Sequence, residues 1–94
     1  MMVAIFGKED CELCKATRKK VAFFLSKWGL TKQVVIEFYD LSTVDGMAEG
    51  AFYDVLEIPT TIIFNNGTSL ARWEGKLPPS RDLSAHLQNS FKRD

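Results

Sequence analysis

Cys11 and Cys14 are the only cysteines in the chain, and they lie two residues apart in Phe6-Gly7-Lys8-Glu9-Asp10-Cys11-Glu12-Leu13-Cys14-Lys15. A short apolar run gives way there to polar residues and then to helical periodicity. A Cys-x-x-Cys on the first turn of a helix can do two-electron chemistry. The helix dipole and its free N–H groups favour a thiolate at the first sulfur, and the spacing keeps the second sulfur close enough to displace it. Cys11 is therefore the candidate nucleophile, which attacks a disulfide to form a mixed disulfide, and Cys14 the residue that resolves it. A purely structural staple is a poor alternative, because closing so small a loop removes little entropy from the unfolded chain. Metal binding is the other use of such a pair in a reducing compartment. Zinc needs more ligands than two thiolates, and the single histidine, His86, is far along the chain in a helical pattern, so no metal ligand set is assigned. Lys8 and the dipole lower the pKa of Cys11, whereas Glu9, Asp10 and Glu12 oppose a negative sulfur, and the sign of the balance stays open. Lys8 reads equally as a solvated loop residue.

The elements that position this pair follow from the apolar pattern. Met2 to Phe6 is a continuous apolar run of strand length, as in a strand covered on both faces. After a loop over 7–10, Cys14, Thr17, Val21, Phe24, Leu25 and Trp28 recur at three- and four-residue intervals, and Gly29 supplies the helix stop. Lys15, Arg18, Lys19 and Lys20 read as a solvated helix face rather than a phosphate-binding patch. Gln33 to Leu41 is rich in β-branched and aromatic residues and predicts a second strand, parallel to the first through a right-handed crossover. Ser42 caps an expected short helix with Met47, Ala51, Phe52 and Val55 on its apolar face, weakened by Gly46 and Gly50. Thr60 to Phe64 and Thr68 to Glu74, joined by Asn65-Asn66-Gly67, form an antiparallel hairpin. Ser80 caps a last helix with Leu83, Leu87 and Phe91 on one stripe, flanked by His86, which reads as a surface or packing residue. Trp28, Trp73 and Tyr53 are expected in the core rather than at a partner surface.

Composition narrows the function classes. Ninety-four residues, 46% of them hydrophobic, predict one domain over 1–94. Twelve Lys and Arg balance twelve Asp and Glu, so no net field recruits nucleic acid or an anionic membrane. The apolar run before Gly7 is too short for a signal-peptide core, and no stretch approaches the roughly 20 residues of a membrane span. The expected location is the cytoplasm.

Two segments carry a family resemblance that spans essentially the whole chain. Phe6 to Cys14 resembles the glutaredoxin active-site segment, including a lysine three positions before the first cysteine. Tyr53-Asp54-Val55-Leu56-Glu57-Ile58-Pro59-Thr60, followed by Ile62-Ile63-Phe64-Asn65-Asn66-Gly67, is similar to the thioredoxin stretch that passes through Ile-Pro-Thr and an apolar strand to an Asn-Gly turn. With the element order, this resembles the thioredoxin fold in its smaller glutaredoxin-like form. The resemblance implies an α/β domain, β-α-β-α-β-β-α, with a four-stranded mixed sheet flanked by three helices. It implies a redox-active Cys11–Cys14 disulfide and a cis Pro59 beside Cys11. Ile58, Pro59, Thr60, Gly75 and Lys8 would contact the substrate, with Ile58 offering backbone groups to an incoming chain. The implied protein is a monomer that reduces protein disulfides, with no bound cofactor or metal and with electrons from an NADPH-linked flavin-dependent reductase. Two alternatives accompany this reading: a glutathione-dependent glutaredoxin, or a non-enzymatic module of the same fold that binds a partner protein, a metal or an iron–sulfur cluster. Glu12 and Leu13 match neither the Gly-Pro of thioredoxin nor the Pro-Tyr of glutaredoxin. The γ-glutamyl-binding Gly-Gly and acidic pair of many glutaredoxins is not matched in Gly75 to Asp82. The buried aspartate of many thioredoxins has no counterpart in Met2 to Phe6.

Overall fold

The computed structural model describes residues 1–91. Strand β1 (Met2–Gly7) leads into helix α1 (Glu12–Lys27), β2 (Val35–Asp40), α2 (Val44–Phe52), β3 (Thr60–Asn65) and β4 (Thr68–Glu74). The described residues end in α3 (Ser80–Leu83), a π-helical turn (Ser84–Gln88) and a 3-10 turn (Asn89–Phe91). The four strands form one mixed sheet in the order β2-β1-β3-β4, with β1 parallel to β2 and antiparallel to β3, and β3 antiparallel to β4.

Alternation along the strands divides the core into two layers. Val3, Ile5, Ile63 and Trp73 pack on Val21 and Leu25 of α1 and on Leu83 and Leu87 of the terminal helix. Ala4, Phe6, Ile62 and Phe64 face the other way, under Tyr39, Leu41, Tyr53 and Val55. Each large side chain taken out of water in these layers contributes about 1.5–3 kcal/mol. Trp28 and Tyr53 are half-buried against the two layers, and the His86 ring stands edge-on to Trp73 at 6.0 Å.

Several expected boundaries shift for local reasons. The second strand starts at Val35, because the Gln33 and Val34 N–H groups both donate to the Leu30 carbonyl and hold a turn there. Helix α2 is capped by Thr43 and not Ser42: the Thr43 hydroxyl accepts from the Gly46 N–H at 3.0 Å and donates to the Asp40 carbonyl at 2.7 Å. The expected apolar face of α2 is wrong in kind. Met47, Ala51 and Phe52 are exposed, Val55 packs on the core but lies beyond the end of the helix, and the residues that α2 buries are Gly46 and Gly50. A Cβ on Gly46 would fall onto the Asp40 carbonyl oxygen, and one on Gly50 would come within 2.9 Å of Leu41 Cδ2. The two glycines therefore allow backbone contact that the pattern-based reading counted only as a cost. At the C-terminal end, Pro79 and not Ser80 precedes the helix and no side chain caps it. Phe91 leaves the Leu83–Leu87 stripe, because the π and 3-10 turns break the helical period.

Tyr39 stacks on Phe6 at 4.8 Å, and its phenol pKa is raised above the ordinary value, first by burial and then by Glu49, Glu37 and Tyr53. A raised folded-state pKa favours the protonated form in the native protein. The stability linked to this group is therefore complete below the unfolded phenol pKa and is lost as pH rises through the folded one. Alkaline difference absorbance at 295 nm should show a tyrosine that ionises above the usual range, and Tyr39→Phe should remove that component.

Candidate active site

Gly7 closes β1, and the chain then turns over Lys8 to Asp10 into α1, with the Cys11 N–H donating to the Lys8 carbonyl at 3.3 Å. Cys11 is the N-cap of α1. It has extended backbone angles (φ −93°, ψ 115°), and its sulfur accepts the Cys14 N–H at 3.1 Å. This N–H is one of the donors that a helix start leaves unpaired, so the first turn holds one of its donors on Sγ of Cys11. The two cysteines form a disulfide with their Cα atoms 5.1 Å apart. They differ in access: Cys11 is half-buried, whereas Cys14 is fully buried.

Space for Cys14 comes from a residue that the motif reading passed over. A Cβ on Gly7 would lie 2.5 Å from Cys14 Sγ and 3.0 Å from its Cβ, so the absent side chain at the end of β1 is where the inner sulfur sits. One turn on, the buried Thr17 donates its hydroxyl to the Leu13 carbonyl at 2.8 Å, whereas the buried Thr61 hydroxyl of β3 has no hydrogen-bond partner among the described residues.

The acidic residues around Cys11 are partly offset. Glu9 pairs with Arg18 and Glu12 with Lys15, each at 3.4 Å on the surface, where such pairs contribute little to stability but reduce the negative field near the sulfur. Lys8 is exposed, and its side chain makes no hydrogen bond or ion pair among the described residues.

The second sequence segment meets the first through the sheet. Phe6 pairs with Thr60, and the same register carried one step further sets Pro59 alongside Gly7. The Ile58–Pro59 peptide is cis, Pro59 is buried, and the Thr60 hydroxyl donates to the Glu57 carbonyl at 2.6 Å. Gly75 joins this group: it holds φ +68° and its N–H donates to the Pro59 carbonyl at 2.7 Å. Ile58 keeps its own N–H and C=O without backbone partners among the described residues. The fold thus gathers Cys14, Pro59, Thr60 and Gly75 at the C-terminal end of β1, with Ile58 beside them, while the Lys8 side chain points into solvent.

Two further features were assigned no role from the sequence. Leu13, Leu56 and Leu77 are exposed, Leu56 by 92%. Arg72 of β4 reaches across the sheet to the Tyr53 carbonyl and, at 2.9 Å, to the Asp54 carbonyl, anchoring the segment that leads to Pro59. Scattered leucines and a strand arginine carry no signal by type or spacing. Among the described residues no three His, Cys, Asp or Glu side chains converge as metal ligands, and no helix is long and apolar enough to cross a membrane.

No protein-family model matches the chain, and no curated protein matches it by sequence. Solved structures do match. A malarial protein superimposes with a TM-score of 0.76 at 23% identity, covering 97% of each chain. Thioredoxin-2, described as a component of the malaria parasite's protein secretion machinery, gives 0.76 at 24% identity over 94% of this chain and 81% of its own. Thioredoxin 1 from Thermosipho africanus gives 0.75 at 22% identity over 98% and 100%.

Proposed function

From the premise that this chain has the thioredoxin fold, with a Cys-x-x-Cys pair at the start of α1, we propose that it is a thiol–disulfide oxidoreductase that reduces protein disulfides. The observation that carries this reading is the asymmetry of the pair. The accessible sulfur is the helix cap and receives an amide N–H, and the inner one is buried directly behind it.

In the reduced protein, the Cys11 thiolate attacks one sulfur of a substrate disulfide. That bond breaks, the other substrate sulfur leaves as a thiolate, and a mixed disulfide joins Cys11 to the substrate. Cys14 then loses its proton and attacks Cys11 Sγ, releasing the second substrate thiolate. The substrate has gained two electrons and the protein holds the Cys11–Cys14 disulfide. The free N–H and C=O of Ile58 pair with the substrate backbone beside the sulfurs, Pro59, Thr60 and Gly75 shape that strand end, and Leu13, Leu56 and Leu77 supply apolar contact. Lys8 adds a positive charge at the approach to Cys11. Electrons return from an external NADPH-linked flavin-dependent reductase, and the protein acts as a cytoplasmic monomer without a bound cofactor.

A parallel donor assay tests this reading. Oxidised protein is offered glutathione with its reductase, or NADPH with a thioredoxin reductase, and turnover of insulin disulfides is followed. Fast reduction by the flavoenzyme and slow reduction by glutathione are expected, because Gly75 to Asp82 lacks the γ-glutamyl-binding pattern. Rapid, saturable reduction by glutathione would make the protein a glutaredoxin. No turnover with either donor or with dithiothreitol would remove the enzymatic reading.

A further inference from the structure

Strand β2 ends the sheet on one side. The Val35 N–H donates to the Met1 carbonyl and the Leu41 N–H to the Gly7 carbonyl, so odd-numbered residues of β2 turn their backbone groups to β1. In a parallel ladder the intervening residues turn theirs the other way. The N–H and C=O of Ile36 and Phe38 therefore face outward, with no further strand beyond them among the described residues; the Asp40 carbonyl is already taken by Thr43. The β1–β2 register runs unbroken from Met2↔Val35 to Gly7↔Asp40, and the strand contains neither a proline nor a bulge.

The two sides of the edge differ in charge. On the α1 side a groove runs beside β2, with Ala22 and Ile36 as apolar lining and Lys15, Arg18 and Lys19 around it. Arg18 lies over the Phe38 ring at 4.2 Å; it and Lys15 already pair on the surface with Glu9 and Glu12, whereas Lys19 has no acidic partner among the described residues. On the opposite side stand Val35, 55% exposed, with Glu37 and Tyr39.

We propose that the β2 edge is a docking site for an extended segment of a partner protein whose alternate side chains are carboxylates. The segment adds a fifth strand by hydrogen bonding to Ile36 and Phe38. Its acidic side chains enter the lysine- and arginine-lined groove, and its intervening residues, neutral or basic, lie over Val35 and Glu37. A second copy of this chain is the disfavoured occupant. Antiparallel pairing of two β2 strands about a two-fold axis normal to the sheet sets both α1 helices on one face, with cationic groove against cationic groove. The proposal does not depend on the redox reading and can be tested in a protein whose disulfide stays closed.

The probe is a blocked hexapeptide that alternates glutamate with threonine, added to the oxidised protein. Binding should slow amide hydrogen exchange at Ile36 and Phe38 and leave the odd-numbered β2 amides unchanged. It should weaken with added salt and by about tenfold in Lys15→Glu/Lys19→Glu. A peptide with N-methyl groups on its edge-facing amides should not bind. Unchanged exchange at millimolar peptide, or equal binding of a peptide with lysine replacing glutamate, would overturn the proposal. So would protection of Ile36 and Phe38 that rises with protein concentration alone alongside a dimer mass, since the edge would then belong to a second copy.

Discussion

Cys14→Ser is expected to accumulate a covalent adduct with disulfide substrates, whereas Cys11→Ser should lower disulfide reduction on the order of a thousandfold or more, to the uncatalysed rate. The two outcomes differ because the two sulfurs differ in place. Cys11 is half-buried at the helix cap and can be reached by a substrate; Cys14 is fully buried against Gly7 and can reach only the Cys11 sulfur itself. Without the inner thiol the first exchange proceeds and the second cannot. Intact-mass spectrometry after incubation with a disulfide peptide reads the adduct directly. An adduct on Cys11→Ser but not on Cys14→Ser would reverse the two roles, and no adduct on either would leave the pair without exchange chemistry.

Stability should respond most strongly to Gly46→Ala. Helix propensity alone favours alanine by about 1 kcal/mol. The new Cβ, however, falls onto the Asp40 carbonyl oxygen, which already accepts the Thr43 N–H and hydroxyl. Backbone cannot give way as a side-chain tip can, and forced overpacking costs typically about 1–3 kcal/mol or more, so the net effect is destabilisation. In a domain of this size each kcal/mol lowers the melting temperature by about 4–8 °C. Gly50→Ala is the internal comparison. Its Cβ meets only the Leu41 Cδ2 atom at 2.9 Å, a flexible end, and its cost should be smaller. Urea midpoints for both variants would check this order, and a stabilised Gly46→Ala protein would contradict the close approach of α2 to the end of β2.

Most of the fold was legible because its signals are dense and local. The apolar run Met2 to Phe6, the period of three and four from Cys14 to Trp28, and Asn65-Asn66-Gly67 between two strand-like runs each specify one element. Their order leads to the four-stranded mixed sheet found. What escaped was contact made without side chains. The buried face of α2 consists of Gly46 and Gly50, so a search for apolar residues selected Met47, Ala51 and Phe52, which lie in water. Phe91 was misplaced for another reason, since a helical period has no way to anticipate the π and 3-10 turns that interrupt it. In the candidate site the same division holds. Cysteines and an Ile-Pro-Thr stretch announce themselves by type and spacing; the room that Gly7 leaves for Cys14 depends on what sits opposite and is visible only in three dimensions.

Arg72 grips the segment before Ile58 by the carbonyls of Tyr53 and Asp54, groups that every residue possesses. Position and identity are thereby uncoupled along the exposed rim. The main chain stays anchored to β4 whatever side chains follow, so Leu56, almost wholly in solvent, can be exchanged without shifting the strand entry it leads to. Single substitutions on this rim can then change the surface it presents, while the main-chain frame before the cis peptide stays in place.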